Sequence, residues 1–180
     1  GLDHALALGL SPDAVVGDMD SVSRSALDAL DDHIEVQVHP VDKDASDLEL
    51  AIRTALGSEP DEVIVVGGHG GRLDHLLANV GLLASADLAD IAVRWLAGRD
   101  LVVPVRDAVT IEGRARATVS LLPVGGPATG VRTAGLRWEL DGEDLDPTST
   151  RSVSNEFLGT EATVSVESGD LLVVVPEAVG

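Results

Sequence analysis

The pattern of apolar segments changes near Pro104, and this change constrains the fold more than any other feature of the chain. Before it, short strand-like segments such as residues 14–16, 35–38 and 62–66 alternate with segments of helical spacing such as residues 46–56. This alternation predicts an α/β domain with a mostly parallel, Rossmann-like sheet that has helices on both faces. After it, strand-like segments such as residues 137–140 are separated by turn residues such as 125–127, and helix-length periodicity is absent from the sequence. We therefore predict an α/β domain over residues 1–103 and an all-β sandwich or barrel over residues 104–180.

Composition and charge exclude several classes of function. The chain has no cysteine, which excludes disulfides and cysteine-based zinc or redox chemistry. No apolar run approaches the roughly 18 to 20 residues that span a bilayer, and residues 1–10 lack the layout of a signal peptide. The net charge of −19 opposes binding to nucleic acid or to anionic membranes. We therefore expect a cytoplasmic protein with no nucleic-acid or membrane partner, and a phosphorylated ligand would be repelled as well unless a metal cation intervened.

An acidic segment follows the first predicted strand. Residues 17–21 read Gly-Asp-Met-Asp-Ser. Asp18 and Asp20 are therefore expected at the carboxyl end of a strand, where open α/β sheets bind ligands. A sharp turn at Gly17 would let both carboxylates approach one hard cation such as Mg²⁺. The alternative interpretation is a polar turn with solvated aspartates.

A second acidic segment follows the next predicted strand. Residues 42–47 contain three aspartates and Lys43, the only lysine of the chain. Ser46 and Glu49 predict a capping box at the start of the following helix. An acidic first helical turn is common for stability alone, because the amino end of a helix favours negative charge. Since both acidic segments are expected at one edge of the sheet, we predict that they act together.

A glycine-rich loop, residues 67–75, lies between a predicted strand and a predicted helix. Its glycines allow backbone N–H groups to approach a phosphate, and the amino end of the helix adds partial positive charge. Arg72 offers a forked donor to phosphate oxygens. A tight structural turn is the alternative. His69 and His75 are expected to pack or to form hydrogen bonds, because no third nitrogen ligand for a metal lies nearby.

The C-terminal part contains one conspicuous aromatic residue and one polar cluster. Trp138 is one of only two tryptophans, in a chain with 2% aromatic residues. Residues 152–156 are polar within an otherwise alternating region. A tryptophan in this setting either stacks on a ligand or packs in the core, and the spacing leaves both interpretations open.

Five segments, taken in order, resemble the motifs of thiamine pyrophosphokinases. The family reads Gly-Asp-Phe-Asp-Ser, Lys-Asp-x-Thr-Asp, Gly-Gly-x-Gly-Gly-Arg-x-Asp-His, Gly-Leu-Lys-aromatic and Ser-Asn-Glu. The corresponding strings here are GDMDS at 17–21, KDASD at 43–47, GGHGGRLDH at 67–75, GLRW at 135–138 and SNE at 154–156. Met19 and Ser46 replace the family's phenylalanine and threonine, and neither replacement removes a ligand. Because the strings occur in register across most of the chain, it is identified as a member of this family.

The resemblance implies an ATP- and Mg²⁺-dependent enzyme that is a homodimer with active sites between its subunits. The residues that it implies for Mg²⁺ are Asp18, Asp20 and Asp47. Those that it implies for ATP are Lys43, Asp44, Ser46, Gly68, Gly70, Gly71, Arg72 and Asp74. Those that it implies for thiamine are Trp138, Ser152, Ser154 and Asn155. The catalytic residues that it implies are Asp18, Asp47, Arg72 and Asp74. Ser152 is the weaker match, since the family often has glycine there.

The implied reaction is the attack of the thiamine hydroxyl on the β-phosphorus of ATP, with AMP as the leaving group. Such a reaction depends mainly on alignment and charge neutralisation. Either Asp47 or Asp74 is expected to accept the hydroxyl proton.

Three alternative functions remain at this stage. A diphosphokinase of the same fold could act on a pterin alcohol, although Trp138 and the Ser-Asn pair disfavour it. A phosphatase of the haloacid-dehalogenase type is disfavoured because no lysine follows Lys43. A non-catalytic thiamine-binding module is disfavoured by the intact carboxylates.

The beginning of the chain departs from the family pattern. Family members begin with a strand and an Ala-Asp-Gly-Gly turn, whose last glycine corresponds to Gly1. We therefore expect the family's first strand, and one aspartate on the phosphate side, to be missing from this sequence.

Overall fold

The computed structural model describes residues 1–179, which divide into two compact units. The first unit comprises Gly1–Pro60, and the second begins at Asp61. The predicted domain boundary after residue 103 falls inside a strand, Asp100–Val105. Among the described residues, no helix has the length and apolar character needed to cross a membrane.

The first unit contains three helices and a two-stranded parallel sheet. Its elements are α1 (Leu2–Ala7), β1 (Ala14–Gly17), α2 (Arg24–Asp28), β2 (Glu35–Val38) and α3 (Asp47–Leu56). β1 and β2 pair in parallel register, with Ala14 opposite Glu35 and Gly17 opposite Val38. The apolar cluster of this unit buries only Leu2, Val15 and Ala26, with partly buried neighbours around them.

The second unit is mostly β and is built on one mixed sheet. Its elements are β3 (Glu62–Val66), α4 (Leu73–Leu82), a 3₁₀ turn (Ala86–Leu88), β4 (Ala92–Ala97), β5 (Asp100–Val105), β6 (Ala108–Glu112), β7 (Thr118–Ala134), β8 (Asp141–Leu145), β9 (Asn155–Glu156), β10 (Glu161–Ser165) and β11 (Ser168–Val175). The strand order of this nine-stranded sheet is β3-β4-β5-β11-β7-β10-β6, and β8 and β9 pair with β7.

The prediction of a single Rossmann-like, mostly parallel sheet is not supported. Among the described residues, parallel pairing occurs only between β1 and β2 and between β3 and β4, in two separate sheets. β4 and β5 pair antiparallel, with Ala97 opposite Asp100, so only Gly98 and Arg99 connect them. A parallel pair needs a crossover of about a dozen residues or more, whereas a two-residue loop joins antiparallel neighbours. Gly98 has a φ of +71°, which suits such a turn.

The C-terminal part contains strands and no helix from Ala108 onward in the described residues, as predicted. Two local predictions are wrong there. Residues 125–127, expected as a turn, lie inside β7, because Gly125 takes up a φ of +76° within a strand whose pairing with β11 shifts register. Residues 137–140, expected as a strand, lie outside the strands, next to a single bridge between Leu136 and Phe157.

The main hydrophobic core lies among the strands of this C-terminal part. Val119 and Leu121 of β7, Val164 of β10 and Leu171 of β11 are fully buried in it. Leu136 belongs to the same cluster and is also fully buried. Because close-packed interiors deform little, side chains anchored on this core are held in defined positions.

Candidate active site

In the first unit, a lysine bridges two aspartates from different segments. Lys43 Nζ lies 3.3 Å from Asp18 Oδ2, which follows β1, and 2.9 Å from Asp47 Oδ1, the first residue of α3. The side chains of Lys43 and Asp18 are mostly buried, whereas that of Asp47 is 50% exposed. The two acidic segments therefore meet, as their sequence positions predicted.

The backbone around Gly17 is shaped to admit the Asp47 carboxylate. Gly17 has a φ of +151°, and a Cβ built on it would lie 3.3 Å from the carboxyl carbon of Asp47. A side chain at this position would therefore crowd the carboxylate. Met19 has a φ of +63°, and the N–H of Asp20 donates to Asp18 Oδ1 at 3.1 Å. The turn thus fixes Asp18, while the residue Asp20 is itself exposed.

Hydrogen bonds stabilise the charged forms of Asp18 and Lys43. The N–H of Asp20, and after it the ammonium of Lys43, lower the pKa of Asp18 below its ordinary value. The carboxylates of Asp47 and Asp18 raise the pKa of Lys43. Two carboxylates and one ammonium leave one negative charge in excess, so the cluster attracts a further cation.

The remaining polar residues of this segment have different roles. The Ser46 hydroxyl accepts the N–H of Glu49 at 3.2 Å and caps α3, which confirms its half of the predicted capping box. The Glu49 carboxylate pairs instead with Arg53 at 2.6 Å. Asp44 is exposed. The predicted contacts of Ser46 and Asp44 with ATP stay predictions.

Asp18, Asp20 and Asp47 are the residues predicted to hold a metal ion. Within residues 1–179, no group of three or more His, Cys, Asp or Glu side chains has an arrangement that could hold a metal ion. The donor chemistry of Asp18 and Asp47 nevertheless suits Mg²⁺, because both offer carboxylate oxygens and Gly17 leaves room for one of them.

In the second unit, the glycine loop connects β3 to α4. Gly67, Gly68 and Gly71 have φ values of +84°, +69° and +85°, a region that favours glycine. Residues 68–75 are exposed. The imidazole of His69 packs against Gly98, where a Cβ would lie 2.9 Å from its Nε2. This contact agrees with the predicted packing role of His69.

Arg72 and Asp74 form a forked ion pair at the start of α4. Arg72 Nε lies 3.1 Å from Asp74 Oδ1, and Nη2 lies 2.5 Å from Oδ2. The guanidinium, and after it the N–H of His75, lower the pKa of Asp74 to about 2. Both side chains are more than half exposed, so a ligand can reach them.

A cavity of about 560 Å³ opens in the C-terminal part and contains the predicted thiamine residues. It is lined by Leu121, Trp138, Glu139, Leu140, Arg151, Ser152, Val153, Ser154 and Asn155. The cavity walls combine apolar and polar groups in the manner of small-molecule sites.

Asn155 and Ser152 hold the walls of this cavity through the backbone. Asn155 Nδ2 donates to the carbonyl of Trp138 at 2.7 Å, and its Oδ1 accepts the N–H of Trp138 at 3.1 Å. Ser152 Oγ donates to the carbonyl of Leu121 at 2.6 Å. Both side chains are buried, whereas Ser154 is exposed and has a φ of +63°. Asn155 therefore positions Trp138, and its direct contact with a ligand stays a prediction.

Trp138 is 54% exposed, and the side chain of Arg137 lies over its ring. The guanidinium carbon of Arg137 lies 4.6 Å from the ring centre, and Arg137 Nη1 donates to Glu156 Oε2 at 3.0 Å. The exposure contradicts the core interpretation of Trp138. Sequence reasoning missed this pair, although Arg137 and Glu156 both lie in the motif strings that carried the resemblance.

Solved structures share the fold. The crystal structure of thiamine pyrophosphokinase from Bacillus subtilis matches this chain with a TM-score of 0.84 and 26% identity, over 98% of this chain and 84% of that one. Together with the carboxylate–lysine cluster and the glycine loop, this likeness defines the class of the protein, a transferase of the kinase type.

Family models and relatives then identify the family. The models for the thiamin pyrophosphokinase catalytic domain and for its vitamin B1 binding domain match residues 1–94 and 108–171. Thiamine pyrophosphokinase of Bacillus subtilis (strain 168) is 26% identical over 172 residues, which cover 94% of this chain and 80% of the relative. Thiamine pyrophosphokinase 1 of Oryza sativa subsp. japonica is 29% identical over 175 residues, which cover 90% and 64%. The chain belongs to the thiamin pyrophosphokinase family.

Proposed function

We propose that this chain transfers a diphosphate group from ATP to thiamine and releases AMP. The observation that carries the proposal is the cavity around Trp138, which lies in the part of the chain that matches the vitamin B1 binding model. A cavity of this size with an exposed indole suits a small aromatic cation better than a neutral pterin.

The surroundings of Trp138 support recognition of a cation. The indole already interacts with the Arg137 guanidinium, which indicates that the ring attracts positive charge. Thiamine carries a permanent positive charge on an aromatic ring, so stacking on Trp138 would combine dispersion with cation–π attraction. In this proposal Asn155 and Ser152 hold the cavity walls, and Ser154 offers an exposed hydroxyl to the ligand.

Two sets of residues serve the phosphate groups of ATP in this proposal. Lys43 and Arg72 supply positive charge in a chain whose net charge is −19. Gly68, Gly70 and Gly71 belong to the loop whose backbone N–H groups approach phosphate oxygens. The exposure of Arg72 and of this loop supports the assignment.

Mg²⁺ is the proposed cofactor, held by Asp18 and Asp47 with Asp20 nearby in sequence. When bound, the ion would neutralise phosphate charge that the acidic protein repels. Lys43 already bridges the two carboxylates, so the cluster is suited to bind a cation together with an anionic ligand.

In the proposed reaction, the thiamine hydroxyl oxygen forms a bond to the β-phosphorus of ATP. The bond between that phosphorus and the oxygen bridging to the α-phosphorus breaks, and AMP leaves with the electron pair. The pKa of Asp74, near 2, makes its carboxylate a weak base at neutral pH. We therefore propose that Asp47 accepts the proton of the thiamine hydroxyl. Asp74 would instead orient Arg72.

The wider setting of the reaction is also proposed. We infer a cytoplasmic homodimer with active sites between its subunits, and a functional division at residues 1–103 and 104–180, which differs from the division into compact units. The separate matches of the two family models, to 1–94 and 108–171, support that division. Light scattering at micromolar concentration tests the dimer, because an active monomer would contradict it.

The proposed activity is tested by measuring AMP release from ATP and Mg²⁺ with thiamine, and separately with a pterin alcohol. AMP formation that requires thiamine, with thiamine diphosphate as the second product, is the expected result. Release with the pterin alcohol alone would favour the pterin alternative. Thiamine binding without any AMP release would favour a non-catalytic module.

A further inference from the structure

The carbonyl groups at the start of the glycine loop are held by two side chains that the proposed mechanism does not use. Trp95 Nε1, on β4, donates to the carbonyl of Gly67 at 2.6 Å. Asn79 Nδ2, on α4, donates to the carbonyl of Gly68 at 2.8 Å. Trp95 is 2% exposed and Asn79 is 7% exposed. Two buried side chains thus donate hydrogen bonds to successive peptide carbonyls of one exposed loop.

These contacts fix the direction of the neighbouring N–H groups. In a planar trans peptide, the C=O and the following N–H point in opposite directions. When the carbonyls of Gly67 and Gly68 are drawn toward Trp95 and Asn79, the N–H groups of Gly68 and His69 must point away from those side chains. Among the hydrogen bonds of residues 1–179, none joins either N–H to a backbone acceptor, whereas the N–H of Gly67 donates to Leu96. Two successive outward N–H groups form a concave site for an anion.

We propose that Trp95 and Asn79 are positioning residues, which hold the glycine loop so that the N–H groups of Gly68 and His69 receive phosphate oxygens of ATP. This inference rests on the proposed function, because it takes the diphosphate donor as the ligand of the loop. Neither side chain touches the substrate. Each acts through a backbone carbonyl, in a loop whose glycines take up positive φ values.

The first test replaces Asn79 with leucine, which has a similar size and no N–H donor. The carbonyl of Gly68 then loses its partner, and the affinity for inorganic diphosphate and for a non-hydrolysable ATP analogue should fall about five- to fiftyfold. The affinity for thiamine should stay within about twofold. Trp95→Phe, which keeps the aromatic ring and removes the indole N–H, should act in the same direction. Titration calorimetry with each ligand measures these changes.

A control separates positioning from stability. Val93 lies on β4 two residues before Trp95 and is 3% exposed. Its aliphatic side chain cannot form a hydrogen bond with the loop. Val93→Ala should lower the melting temperature and leave the affinity for the ATP analogue unchanged. An equal loss of ATP affinity in Val93→Ala and Asn79→Leu would overturn the proposal, since instability alone would then explain both.

A direct readout comes from the amide resonances of the loop. In ¹H–¹⁵N spectra of the wild-type chain, the signals of Gly68 and His69 should shift when inorganic diphosphate is added, and they should shift much less in Asn79→Leu. If wild type binds and turns over ATP while these two amides stay unchanged, the positioning role is wrong and the proposed function stands. If wild type neither binds ATP nor releases AMP, the proposed function fails and this inference fails with it.

Discussion

The carboxylate–lysine cluster of the first unit and the Trp138 cavity of the second are held in different ways. Lys43, Asp18 and Asp47 are joined by ion pairs, and the apolar cluster of their unit buries three residues. The Trp138 cavity rests on buried hydrogen bonds from Asn155 and Ser152 and borders the main core, which includes Leu121. The half-exposed carboxylate of Asp47 can rearrange when a ligand arrives, whereas a packed core does not.

This difference matches the two tasks of a diphosphate transfer. Phosphate groups and a metal ion bring large charges that a site must accommodate, and Lys43 can exchange one carboxylate contact for a phosphate contact. Thiamine is a flat aromatic cation whose hydroxyl must be held in one position, and in the proposed function Trp138 supplies a fixed surface for its ring. We therefore expect substitutions in the first unit to affect turnover more than stability, and substitutions around the core to do the reverse.

The largest expected effect is on stability. It is seen when the same substitution, leucine to alanine, is made in the main core and in the small apolar cluster of the first unit. Leu171 of β11 is fully buried in the main core, and Leu2 of α1 is 7% exposed in the small cluster. Leu171→Ala should lower the free energy of unfolding by about 3 to 5 kcal/mol, because a rigid core leaves a cavity. Leu2→Ala should cost about 1 to 2 kcal/mol, since its few neighbours can collapse around the gap. Urea denaturation measures both, and equal costs would contradict the comparison.

The second effect is on turnover. Asp47→Asn removes one carboxylate from Lys43 and from the proposed Mg²⁺ site, so AMP release should fall more than about tenfold. Its melting temperature should barely change, because the Asp47 side chain is 50% exposed. Asp42→Asn, an exposed aspartate of the same segment, is the matched control and should keep wild-type turnover. Retention of more than about a tenth of the rate in Asp47→Asn would remove Asp47 from the mechanism.

The smallest effect concerns acid stability. Because Arg72 lowers the pKa of Asp74 to about 2, this carboxylate stabilises the folded state above about pH 4. That contribution is lost as the pH falls from about 4 through 2, and well below pH 2 the carboxylate is protonated in both states. The unfolding free energy of Asp74→Asn should therefore fall less over this range than that of wild type. The difference should be small, since both side chains of the pair are largely exposed.

The control for this experiment is Asp90→Asn, an exposed aspartate outside the glycine loop. Denaturation of all three proteins at several acid pH values isolates the contribution of the Arg72 pair. If the unfolding free energy of Asp74→Asn depends on acid pH as that of wild type does, the ion pair does not contribute to stability in solution.

The sequence predicted most elements but not how they assemble. Local patterns predicted β1, β2, α3 and β3 within a residue or two, because capping and apolar spacing act over a few residues. The pairing of strands depends on loop geometry. The two residues Gly98 and Arg99 turn β5 antiparallel to β4, and β1 and β2 pair in a separate sheet, so the single parallel sheet that the alternation predicted does not form.

The candidate site was predictable to a similar extent. The motif strings indicated Asp18, Lys43 and Asp47, and the structure brings these three side chains together. They could not reveal that Asn155 and Asn79 act through backbone carbonyls, because such contacts depend on where the chain folds back. The two tryptophans differ for the same reason, since only the fold decides that Trp95 is buried and Trp138 is exposed.

The central claim is that the exposed Trp138 recognises thiamine, and calorimetric titration of Trp138→Ala tests it most directly. Thiamine affinity should fall about five- to a hundredfold, through loss of stacking and of the cation–π contact. Affinity for a non-hydrolysable ATP analogue should stay nearly unchanged, and so should the melting temperature, because the ring is 54% exposed. If the variant instead binds thiamine as tightly as wild type, or loses both affinities together with its stability, the assignment of thiamine to this cavity is contradicted.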